Sequence, residues 1–176
     1  MKPYLTYGAF IAIGNAAVTL ILYLTGFHTN PATLQTGNYI AGAASLVIGI
    51  SLLVVGTRAK RAAVPASQEF NYGMALGAGV IISLVATILG TAFQFIYQSF
   101  INPGFADIVV QAQTMKLQAS GMPSEQIEKM KSMMRVMTKP AVQAALGFIG
   151  GMVMGAIISL ITAAFLKRKA VEPPLA

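Results

Sequence analysis

The stretch "GFIGGMVMGAIISLI", Gly147 to Ile161, holds four glycines in fifteen residues, and two incompatible folds compete for it. A phosphate-cradling loop would make the chain a nucleotide-binding protein, whereas glycines along one face of a helix would make the stretch a packing surface. Spacing separates the two. Gly147, Gly151, Gly155, Ser159 and Ala163 recur at every fourth residue, and positions four apart in an α-helix form one inclined row. A phosphate loop would instead follow a strand, open a helix and carry Gly-Lys-Ser/Thr, none of which is here. The stretch reads as a helix with a small-xxx-small face, which lets a second helix approach closely where lipid gives no hydrophobic reason to associate.

Composition places that helix in a membrane. Of 176 residues, 56% are hydrophobic and only 10% charged, with a mean hydropathy of +0.70, far from the balance of a soluble domain. A hydrocarbon core of roughly 30 Å needs about 20 mostly apolar helical residues. Four segments meet that length, at 4–26, 39–57, 73–99 and 140–166, and none holds a charge. Their lack of polar alternation argues against barrel strands, and each backbone group must be satisfied within lipid, so each is predicted to be a helix. The fold class expected is all-α: one polytopic membrane domain of four transmembrane helices.

The net charge of +7 is concentrated beside the spans. Lys2, "RAKR" at Arg58–Arg61 and "KRK" at Lys167–Lys169 fall on one side if four spans alternate, and the positive-inside rule makes that side the cytoplasm. The clusters are read as topology signals, so no nucleic-acid partner is expected. Both termini are predicted to be cytoplasmic, with a C-terminal tail, 170–176, expected to be disordered. Tyr4, Tyr7, Phe70, Tyr72 and Phe165 then collect at the inner surface, and Tyr23, Phe27, Tyr39, Phe93, Phe95, Tyr97 and Phe100 at the outer one, as amphipathic rings do.

Segment 101–139 is predicted to be an extracytoplasmic helical hairpin. "INPG" stops the third span, and Phe105, Ile108, Val109, Ala112 and Met115 then mark one face of a helix. "SGMP" breaks it. Ser124 and Glu125 open a second helix with an acceptor and a negative charge; Ile127, Met130, Met134 and Met137 form its apolar face, and Glu125 and Lys129 an i,i+4 pair.

Close-packing rows recur in the other spans: Ala75, Gly79, Ser83, Thr87 and Thr91 in the third, Gly8, Ala12 and Ala16 in the first, and Ala41, Ser45 and Gly49 in the second. A tight four-helix bundle accounts for them, and homo-oligomerisation could use one of them. Asn15, Gln94, Gln98 and Gln143 are the polar residues within spans; they form a candidate polar cluster, read as interhelical hydrogen bonding or, alternatively, as the lining of a small channel or transporter. No Asp, Glu, Lys, Arg or His lies at depth, so proton relays and intramembrane hydrolysis lack their ionisable groups. No catalytic, cofactor-binding or metal residues are assigned, and no cofactor is expected. With no cysteine, disulfides and thiolate metal sites are excluded. The single histidine, His28, is read as a solvated loop residue. Six of ten methionines lie in 101–139; Met130, Met133, Met134 and Met137 suit adaptable docking on the bilayer or a partner membrane protein, and Cu(I) handling is the further alternative.

On "FNYGMALGAGV", "INPGF", "GMPSEQIEKMKSMM" and "GAIISLITAAFLKRK", the chain resembles the bacterial family called domain of unknown function 4199, small inner-membrane proteins. The resemblance covers the second half and implies a four-span protein of the bacterial cytoplasmic membrane. It implies no activity. The role expected is a non-enzymatic structural or accessory one.

Overall fold

In a computed structural model, residues 2–170 are described, so most of the expected tail, 171–176, lies outside them. Helices carry almost all of the regular structure: α1 (Lys2–Leu24), α2 (Leu34–Ala62), α3 (Tyr72–Ile96), a π-helical turn (Tyr97–Ile101), α4 (Phe105–Ala119), α5 (Ser124–Met137) and α6 (Pro140–Leu166). Four stretches are long and apolar enough to cross a membrane: Pro3–Leu24, Leu34–Ala62, Tyr72–Ile101 and Pro140–Leu166. In the most apolar window of α6 only 11% of residues are buried inside the protein. That much exposed apolar surface is compatible with lipid, and a soluble monomer rarely carries it.

The helix ends differ from expectation for local reasons. Gly26 takes φ +87°, a left-handed conformation that glycine adopts without penalty, so α1 stops before it. α2 begins five residues earlier than predicted, because Asn30 Oδ1 accepts the Ala32 N–H at 2.9 Å and the Asn30 carbonyl accepts those of Thr33 and Leu34. It also runs on through Arg58–Arg61, where cations suit the carbonyl end of the dipole. α5 is preceded by Pro123 at its N-cap position with no side-chain cap; Ser124 is the first helical residue rather than the cap. The Glu125–Lys129 pair forms at 2.8 Å, fully in solvent.

The chain divides into two compact units. Of the described residues, the first comprises 2–14, 46–89 and 148–170, and segments of all four long helices meet in it. Ile11, Leu53, Ile82 and Ala86 form its core with Tyr4, Tyr7, Leu52 and Ile158 against them. The rows of α3 and α6 face each other in antiparallel register. A Cβ added to Gly79 would lie 2.5 Å from Ser159 Oγ; one on Gly155 would meet Ser83, its Oγ at 2.6 Å; one on Gly151 would lie 3.0 Å from the Thr87 hydroxyl. Ala75 and Ala163 share the next cluster along, with Val64 and Phe70. Gly8 of α1 sits against Val85.

Two row assignments are corrected. Gly147 has open space around its would-be Cβ, so the α6 row makes close contact only from Gly151 onward. On α2 nothing approaches Gly49, and the close approach is at Gly56, against Tyr7 and Ile82.

The same unit holds a clasp that the charge pattern did not reveal. Phe70 and Arg168 exchange backbone hydrogen bonds at 2.9 and 2.8 Å. The Arg168 guanidinium donates to the carbonyls of Val64 at 3.0 Å, Pro65 at 2.9 Å and Gln68 at 3.4 Å. Arg61 reaches the Leu166 carbonyl at 3.4 Å. Two cations predicted only to mark topology thus tie the end of α2 (Arg61) and the α2–α3 connection (Arg168) to the end of α6.

The second unit comprises 15–45 and 90–147. Its core is Leu34, Tyr97 and Phe105, with Tyr23, Phe93, Ile108, Val109 and Ala112 packed on it. α4 and α5 lie against each other, Ile127 of α5 is buried, and Met115 of the expected α4 face is exposed. Tyr97 and Phe70, both predicted to sit in interfacial belts, are the largest fully buried side chains; Tyr39, Phe100 and Phe165 are exposed.

Candidate functional site

Buried polar groups hold unsatisfied potential more tightly than any other feature of such a chain, because each lacks water as an alternative partner. The second unit contains a compact set of them that was not foreseen from sequence. His28 is only 5% exposed, which overturns its reading as a solvated loop residue. Gly26 turns the chain back so that the His28 N–H bonds to the Leu22 carbonyl at 3.2 Å, and this return carries the imidazole inward.

There His28 Nδ1 lies 3.0 Å from the Tyr97 hydroxyl. Asn102 Nδ2 donates both its hydrogens, to the Tyr97 oxygen at 3.0 Å and to the His28 carbonyl at 3.1 Å. Asn102 supplies the Tyr97 oxygen with a donor, which leaves the Tyr97 O–H free to point at His28 Nδ1. In that arrangement Nδ1 accepts and the neutral ring carries its proton on Nε2. That Nε2 is buried with no hydrogen-bond partner among the described residues. Rings enclose the group: Phe105 lies 5.2 Å from His28, and Tyr23, Phe93 and Phe105 lie about Tyr97 at 6.0, 6.1 and 5.9 Å.

The π turn makes this geometry possible. Asn102 N–H bonds to the Tyr97 carbonyl at 2.7 Å, an i→i−5 closure whose extra residue changes the rotation of the helix. The same rotation re-aims Gln98, which is 4% exposed and donates to Gln143 Oε1 at 3.3 Å. Gln94 stays half-buried and makes no hydrogen bond among the described residues. Asn15 is likewise half-buried, its Oδ1 without a partner among the described residues. Of the four residues of the expected polar cluster, only Gln98 and Gln143 are joined.

Burial lowers the pKa of His28 below its ordinary 6.5, since an apolar shell penalises the imidazolium. Between the lowered value and about 6.5 the unfolded chain binds the proton and the folded chain does not. The stabilisation from neutral His28 is therefore complete above pH about 6.5 and declines as pH falls through that window. Because His28 is the sole histidine, 15N-histidine NMR is unambiguous: a titration midpoint below 6.5, with Nε2 protonated in the neutral form, is the expected result, and a midpoint at or above 6.5 would contradict the burial.

Among the described residues no group of three or more His, Cys, Asp or Glu is placed to hold a metal ion. A family model described as "Protein of unknown function (DUF4199)" matches residues 6–168. No curated protein and no solved structure matches the chain.

Proposed function

Because the chain belongs to the DUF4199 family and carries four helices long and apolar enough to cross a membrane, we propose that it is a multi-pass protein of the bacterial inner membrane acting as a non-enzymatic accessory component through its α4–α5 hairpin. One observation carries this reading: α5 leaves Met130, Met133, Val136 and Met137 exposed, at 39, 66, 53 and 49%, immediately before α6. An apolar face of unbranched thioethers suits repacking against an apolar partner surface, and the partner is read as another membrane protein. The cation clusters at Arg58–Arg61 and Lys167–Lys169 support cytoplasmic termini, which would set the hairpin outside. Replacing Met130, Met133 and Met137 with Gln keeps length and helix propensity while making the face polar. In native-gel separation of gently solubilised membranes, the wild-type chain is expected in a larger particle than the triple variant. Equal particle sizes for two folded proteins would overturn the proposal.

A further inference from the structure

The hydrogen-bond chain Asn102 to Tyr97 to His28 admits one protonation state only. Both Asn102 hydrogens are committed, one to the Tyr97 oxygen and one to the His28 carbonyl, and the Tyr97 O–H is committed to Nδ1. A proton added to Nδ1 would face that O–H donor to donor. Turning the hydroxyl away would break its bond to Nδ1 and direct its hydrogen among the rings of Tyr23, Phe93 and Phe105. The imidazolium would find no counter-charge either. Facing His28 are Tyr97 and Asn102 from the π turn and its end, and Phe105 from α4, with Tyr23 of α1 beyond on the Tyr97 ring. Two phenols are the titratable groups in that set, and it holds no carboxylate. Asp107, the nearest acid along α4, is exposed and lines the cleft toward Lys131 and Arg135 of α5. A buried cation without partners is strongly unfavourable.

We propose that His28, Tyr97 and Asn102 form a pH-sensitive latch that holds the α1–α2 connection onto the π turn and α4 when His28 is neutral and releases it when His28 is protonated. The hinge is Gly26, in its left-handed conformation, and the released piece is the connection through Asn30 and Pro31. That piece also forms one wall of a cleft of about 280 Å³, in which Pro31, Ala32 and Leu34 face Ala112, Met115 and Lys116 of α4. Opening the latch therefore changes the surface of the hairpin's first helix. The latch does not depend on what the methionine face of α5 binds.

The chain has no cysteine, so a spin label on Ala32→Cys reports the connection alone. In the full-length protein in nanodiscs, label mobility is expected to rise as pH falls from about 8 to about 4.5, with the midpoint of the His28 15N titration. His28→Gln removes the titrating group, and its label is expected to lose the pH dependence. Tyr97→Phe removes the hydroxyl on which the chain turns, and its label is expected to be mobile already at pH about 8. Wild-type mobility that stays flat through the His28 titration overturns the latch. So does an unaltered pH response in His28→Gln, or a Tyr97→Phe label as immobile as wild type at high pH.

Discussion

Gly155→Ala is expected to destabilise the protein by about 1–3 kcal/mol, the cost of overpacking a close-fitted contact, although alanine is the better helix former by about 1 kcal/mol. The added Cβ would run into the Ser83 side chain, with its Oγ at 2.6 Å and its Cα at 3.8 Å. Since the obstacle is the Ser83 side chain and the backbone behind it is at ordinary contact distance, Ser83→Gly should make room. The double variant Gly155→Ala with Ser83→Gly is expected to recover most of the loss. Gly147→Ala is the matched control: open space surrounds that position, so the change should be neutral or slightly stabilising. Unfolding in detergent monitored by circular dichroism distinguishes these cases. Equal effects at 147 and 155 would mean that the α6 row carries no special contact.

The second large effect is expected at Arg168. Removing its guanidinium strips hydrogen bonds from three carbonyls, at Val64, Pro65 and Gln68, and bonds from a charged donor contribute about 1.5–3 kcal/mol each. The two shorter bonds dominate, and partial exposure of Arg168 discounts the sum to about 3 kcal/mol. Arg168→Lys should recover part of the loss, because all three bonds come from Nη2 alone and an ammonium also carries three donors, on a shorter and more flexible stem. Lys167→Ala and Lys169→Ala, on exposed neighbours, should be close to neutral. Limited proteolysis of the α2–α3 connection, 63–71, is the sensitive readout: cleavage is expected to accelerate most in Arg168→Ala, with Arg168→Lys between it and wild type. Resistance equal to wild type in Arg168→Ala would remove the clasp.

What could be read from the sequence divides along a physical line. The apolar spans and the two hairpin helices are properties of single segments, so length, hydropathy and 3.6-residue periodicity located them to within about five residues at their ends. The fourfold spacing of small residues along α6 is likewise a property of one segment. Its partner register, and the switch on α2 from Gly49 to Gly56, depend on which helices meet, and no segment encodes that alone. Aromatic belts misled at Tyr97 and Phe70 because an amphipathic ring suits both a membrane surface and a hydrogen-bonded core. His28 beside Asn30-Pro31 has the composition of a solvated turn, and only its contact across 69 residues with Tyr97 makes it a core residue. Arg168 looked like one more inner-side cation. A charge that satisfies carbonyls and a charge that marks topology have the same sequence signature.

The central structural claim is that α3 and α6 of one chain pair through their small-residue rows, Ala75 to Thr87 against Gly151 to Ala163. Disulfide trapping in this cysteine-free chain tests it most directly. A Cβ on Gly151 would lie 3.6 Å from Thr87 Cβ, within the range of about 3.5–4.5 Å that a disulfide spans, whereas Gly147 has nothing within 4 Å. Under mild oxidation, Thr87→Cys with Gly151→Cys is expected to close an intramolecular bond that speeds migration on a non-reducing gel, and Thr91→Cys with Gly147→Cys is expected to stay reduced. A crosslinked dimer from the first pair, or equal trapping in both pairs, would contradict the register.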